Sequence, residues 1–187
     1  ILWGLSYEYT GVASKKTTIK IDSLIAREVI VYAAVGGVFS LSNGITNSFL
    51  VLMGNERAIP GISIFFAINA ITLSIVRLFI GRQADRTSIT LIVNISLLCS
   101  AISMFSLGFA YSLSLVIIAA FFKALGLAGG QVSLQAECIR RVDEDRSGVA
   151  ASTYYIGADI GNGIGPMIGG AISSIFNYKI MFISVSI

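Results

Sequence analysis

Five apolar runs set the terms for what this chain can become. They cover roughly residues 29–53, 60–80, 89–110, 113–138 and 149–176, and each reaches the roughly 20 residues an α-helix needs to cross the hydrocarbon layer. The polar connections are short, so successive helices should run antiparallel. A sixth run begins near Ile180 and breaks off at Ile187, which reads as a truncated helix; with Ile1 rather than Met at the start, the chain reads as a fragment. Residues 1–28 pass from Ile1-Leu2-Trp3 into a segment carrying Lys15, Lys16, Lys20 and Arg27, as expected of a preceding helix end followed by a cytoplasmic central linker. Residues 29–187 then make one all-α transmembrane bundle, five complete helices (29–53, 60–80, 89–110, 113–138, 149–176) plus the truncated 180–187.

The residue balance agrees with a membrane protein. Charged residues make up 12% of the chain, half of what soluble domains carry, and 55% of it is hydrophobic. The net charge of +3 does not point to nucleic acid, because the basic residues lie between apolar runs and share no face. The chain has no histidine, which removes histidine metal sites and histidine-based catalytic arrangements. Cys99 and Cys138 lack metal-ligand spacing and read as small core residues. There is no phosphate-binding loop for ATP. An intramembrane aspartyl protease would need a second Asp within the apolar runs, and none is present. Neither an enzyme nor a metal or cofactor is expected.

Basic residues orient the helices. Lys15, Lys16, Lys20, Arg27, Arg82, Arg86, Arg140, Arg141 and Arg146 fall on one side, Arg57 and Lys179 on the other, so the linker and the loops 81–88 and 139–148 should be cytoplasmic. Two basic residues lie inside apolar runs. Arg77, four residues before Gly81, reads as a side chain snorkelling to the cytoplasmic interface. Lys123 lies too deep for that, about 16 Å from the external end of its helix.

Asp159 is the other ionisable group at mid-depth, about 18 Å along its helix from the nearest polar loop. Two readings stand side by side: a buried Lys123–Asp159 ion pair that holds helices together, or a proton and substrate site in a cavity, where an unpaired Asp159 can load and release a proton. Asn43 and Asn47, with Ser40 on nearly the same face, make either a water-facing stripe or a set of interhelical hydrogen bonds. Asn69, Asn94 and Asn162 invite the same two readings. Gln131, Gln135 and Glu137 mark either an access vestibule or ordinary interfacial polarity, and Tyr154 and Tyr155 either stack on a ligand or pack.

Two motifs stand out. Gly81-Arg82-Gln83-Ala84-Asp85-Arg86 is a short charged turn in which Asp85 can pair with Arg82 or Arg86 and accept from helix N-terminal amides, a weak latch suited to switching. Gly157, Gly161, Gly165 and Gly169 recur every four residues and form a strip without side chains on one helix face, which lets another helix approach closely. Pro166 on the same helix removes a backbone donor and predicts a bend.

These residues resemble the second, C-terminal half of a major facilitator superfamily transporter, and most closely the bacterial drug:proton antiporters. Gly81 to Arg86 is similar to the Gly-x-x-x-Asp-Arg loop signature after the second helix of each half. Gly161, Gly165, Pro166, Gly169 and Gly170 are similar to the antiporter signature Gly-x-x-x-Gly-Pro-x-x-Gly-Gly. The match departs at Thr87-Ser88-Ile89, where the family often continues with glycine and basic residues, and at Lys123, which is followed by Gly126 rather than by a glycine four residues on.

The resemblance implies a twelve-helix protein in the cell membrane, with this chain as half of it and an N-terminal six-helix half as its partner. It implies that the first and fourth helices line a cavity, that the second and fifth face the other half, and that the third and sixth lie outside, so the glycine strip becomes an inter-half surface. The implied function is proton-driven efflux of small amphipathic or cationic compounds. Its pathway would involve Asp159, Lys123, Asn43, Asn47, Asn69 and Gln131, with the proton gradient as energy source. Symport of a sugar or other metabolite, and a transporter-like sensor that moves nothing, are the alternatives.

Overall fold

A computed structural model describes residues 25–84 and 87–186, with side chains over 25–79 and 87–186. The elements are α1 (Ile30–Glu56), α2 (Ile64–Ala84), α3 (Ile89–Gly108), α4 (Leu113–Arg140), α5 (Ser147–Ile175) and the short α6 (Tyr178–Ser184), with 3-10 turns at Arg27–Val29 and Glu144–Arg146. Among the described residues no strand forms.

Three stretches combine the length and hydropathy to cross a bilayer: Arg27–Glu56, Ile89–Gly108 and Leu113–Arg140. The described apolar stretch of α2, Ile64–Phe79, is shorter. The 29-residue α5 is long enough, but Asp159, Asn162 and its seven glycines dilute its hydropathy. Apolar side chains such as Leu78 (76% exposed) and Met167 (75%) point outward, as a lipid-facing surface requires.

The expected 60–80 helix is shifted. It starts at Ile64 because residues 60–63 form a turn through Gly61 at φ +74°, a value glycine adopts without strain. It ends at Ala84 because Gly81 continues the helix instead of terminating it. The α6 start is set by Asn177, whose side chain accepts from the Ile180 amide at 2.9 Å.

The helices sort into two closely packed groups. α1 packs most extensively against α5, while α4 packs along α3 and α2; contacts of α4 with α1 and α5 are sparser. The α1–α5 seam is where the glycine strip lies. A Cβ on Gly157 would strike the Ala33 carbonyl, one on Gly161 the Gly37 carbonyl, and one on Gly165 would sit 2.5 Å from the Leu41 carbonyl. Gly169 meets Ile45. Both partner sets advance by four residues in the same direction, so the two helices run parallel in register. The strip is thus buried against α1 of the same bundle and does not face a missing half, which corrects the expectation drawn from the family. Pro166 leaves the Asn162 carbonyl without its helical donor, and that carbonyl lies 2.7 Å from where a Gly44 Cβ would stand.

Charged side chains tie the two ends of the bundle. At one end Arg146 Nη1 donates to Glu28 Oε1 at 3.1 Å, and Arg141 Nε donates to Glu137 Oε1 at 2.8 Å while lying over the Tyr32 ring. At the other end Arg57 donates to the carbonyls of Leu107 (3.1 Å), Gly108 (3.0 Å) and Ala110 (2.6 Å), at and just beyond the C-terminus of α3. Partial burial pushes the Arg57 guanidinium down from its ordinary value. Lys179 lies over Phe109 at this same end.

Candidate functional site

A cavity of about 450 Å³ opens among α1, α2, α4 and α5, with Ser40, Asn43, Arg77, Gln131, Val132, Gln135, Tyr154, Tyr155, Ala158, Asp159 and Asn162 on its walls. Helical geometry explains the α5 wall. Tyr155, Ala158, Asp159 and Asn162 fall at i, i+3, i+4 and i+7, one face of the helix, about 100° round from the glycine strip. One helix therefore presents a bare face to α1 and a polar face to the cavity.

Hydrogen bonds shape the walls. Gln131 Nε2 donates to Ser40 Oγ at 3.2 Å, Tyr154 donates its hydroxyl to the Gln131 carbonyl at 3.1 Å, and Gln135 Nε2 donates to the Tyr155 hydroxyl at 2.8 Å. Tyr154 is buried by this role, whereas Tyr155 stays exposed on the wall. Asp159 is exposed to the cavity, and among the described residues it has neither an ion pair nor a hydrogen bond.

The predicted pathway residues divide. Asn43, Gln131 and Asp159 share this cavity. Asn47 is exposed away from it, and Asn69 Nδ2 donates to the Ala120 carbonyl at 3.3 Å, joining α2 to α4. Asn94 lines a separate cavity of about 770 Å³ among α1, α3, α5 and the segment around α6.

Lys123 is 1% exposed and donates to Ser42 Oγ at 2.7 Å. Ser42 in turn donates to the Phe39 carbonyl and lies 3.3 Å from Ser100 Oγ. The Lys123–Asp159 pair is therefore not formed: the lysine turns toward α1 and α3, and the carboxylate toward the cavity. Gly81 lies on the α2 backbone; Asp85 and Arg86 lie outside the described residues, as does the Arg82 side chain, so the latch does too. Among the described residues no group of three or more His, Cys, Asp or Glu side chains is placed to hold a metal ion.

Arg77, expected at the cytoplasmic interface, also lines the cavity. It stands seven residues before Ala84 and two before Phe79, where the described apolar stretch of α2 ends.

Among the described residues the chain is a helical bundle with membrane-crossing helices and a polar cavity, an architecture compatible with a secondary transporter. The chain belongs to the Major Facilitator Superfamily, whose family model matches residues 32–187. It is a multi-pass membrane protein of a transporter family rather than an enzyme family. A comparison with curated proteins found no match, and neither did one with solved structures.

Proposed function

We propose that this chain is the C-terminal half of a proton-coupled exporter of small amphipathic compounds that works by alternating access in the cell membrane. The observation that carries the reading is Asp159, a carboxylate without a protein partner on the wall of a polar cavity inside the bundle. In such a place proton and cargo compete for one group: the carboxylate binds a cationic group from the inner side, and a proton arriving from the outer side releases it. An N-terminal six-helix half would close the cavity, with the linker and the loops between α2 and α3 and between α4 and α5 in the cytoplasm. Gly81, Arg82, Asp85 and Arg86 would latch that side, and Lys123 would brace the wall through Ser42.

The test is movement of a panel of cationic dyes in vesicles holding the full-length protein, under an imposed pH gradient. Outward movement that stops when the gradient is collapsed supports the reading. Inward movement of a polar metabolite down the proton gradient, with no dye efflux, supports symport instead. That second reading is favoured by the amide-rich lining of Asn43, Gln131, Gln135 and Asn162, which suits a solute rich in hydroxyl groups.

A further inference from the structure

Two opposite charges share the cavity and do not meet. Arg77 belongs to α2 and Asp159 to α5, and α2 and α5 each pack against α4. Arg77 forms no hydrogen bond, ion pair or ring contact among the described residues. Every other described basic side chain is engaged: Arg57 by three carbonyls, Lys123 by Ser42, Arg141 by Glu137, Arg146 by Glu28 and Lys179 by Phe109, and Arg27 and Arg140 also have partners. The side chains of Asn43 and Asn162, on the same cavity, likewise make no hydrogen bond there.

An uncompensated guanidinium and an uncompensated carboxylate within a membrane protein are each costly. A simple cation neutralises only Asp159 and is repelled by Arg77. A compound that carries both signs answers both charges, and its uncharged part can fill a space of about 450 Å³, within the usual range of roughly 300–1,000 Å³ for small-molecule sites.

We propose that Arg77 holds the anionic group of the transported compound while Asp159 faces its cationic group, so that the cavity selects amphipathic zwitterions over simple cations. The assignment rests on reading this cavity as the transport site. A guanidinium suits a carboxylate because its planar fork donates two parallel hydrogen bonds.

The experiment uses purified full-length protein and three matched probes: L-tryptophan, its methyl ester, which is a cation, and N-acetyl-L-tryptophan, which is an anion. Equilibrium binding should be roughly 10-fold or more tighter for tryptophan than for the ester. Arg77→Gln should weaken tryptophan binding by roughly 10- to 100-fold and leave the ester, freed of the Arg77 repulsion, bound at least as tightly as before, and Arg77→Lys should recover part of the loss for tryptophan. Thermal unfolding of each variant guards against misfolding, and the lysine variant keeps the test open if the glutamine variant is unstable. Equal binding of tryptophan and ester, insensitivity to Arg77→Gln, or no binding of any probe overturns the assignment. Gradient-driven dye efflux in the same preparation separates the two levels: efflux without a zwitterion preference overturns only this inference, whereas the preference without any proton-linked movement overturns the export reading.

Discussion

Gly161→Ala and Gly163→Ala make the sharpest test of the α1–α5 seam, because the same methyl group is added two residues apart on one helix. At Gly161 it would strike the Gly37 carbonyl, and backbone cannot rotate aside. The neighbouring Gly165 sets the scale. Its Cβ would lie 2.5 Å from the Leu41 carbonyl, about 1 Å inside an ordinary contact of about 3.5 Å, so α1 and α5 must separate by about that much. A gap of 0.5–1 Å forfeits roughly a quarter to a half of each dispersion contact along the seam, and overpacking of this kind costs about 1–3 kcal/mol. Better helix propensity returns about 1 kcal/mol. Gly163 has nothing within 4 Å of its added Cβ, so there the propensity gain stands alone. Gly161→Ala should therefore be less stable than Gly163→Ala by about 1–3 kcal/mol, read from chemical or thermal unfolding of the purified full-length protein in detergent. Equal stability of the two variants would refute the close seam. Gly161→Leu should widen the difference.

Asp159→Asn should abolish pH-gradient-driven transport and leave membrane insertion and unfolding unchanged; transport with an unaltered dependence on the gradient would remove Asp159 from the proton path. Arg57→Gln gives up the three-carbonyl cap on α3 and should lower stability by about 1–3 kcal/mol, with Arg57→Lys recovering only part because an ammonium cannot reproduce the fork. Lys123→Met should leave stability within about 1 kcal/mol, since a buried charge is exchanged for an apolar chain of similar length, whereas Ser42→Ala removes the acceptor of that charge and should cost about 1–3 kcal/mol. A Lys123→Met protein that unfolds much more readily while Ser42→Ala does not would overturn this account of the pair.

The helices and the glycine strip could be read from the chain because both depend on local periodicity. Run length and a four-residue spacing need no knowledge of neighbours. The strip's partner could not be read, since bare backbone specifies how near a helix comes and not which helix it is; α1 qualifies because Gly37 and Gly44 thin it at matching depths. Lys123 shows the same limit. Its depth followed from counting residues, but its acceptor is a serine on another helix, and serine carries no charge signal to mark it. That Arg77 shares a cavity wall with Asp159 could not be read either, because it depends on how α2 and α5 each pack against α4.

The two packing groups give the cavity its mechanical meaning. The α1–α5 pair is joined by close approach to backbone at Gly157, Gly161 and Gly165, which leaves it little freedom to slide. Across from it, α2 and α3 are both packed on α4. What links the groups around the cavity is a set of side-chain hydrogen bonds: Gln131 to Ser40, Tyr154 to the Gln131 carbonyl, Gln135 to Tyr155, and Lys123 to Ser42 behind the wall. Each can be exchanged for another polar partner at small net cost, unlike the glycine seam. Arg77 stands in one group and Asp159 in the other. A bound zwitterion that touches both would draw the groups together, and protonation of Asp159 would release one end of that bridge. Proton and cargo would then act on the same boundary, as coupling by differential affinity requires.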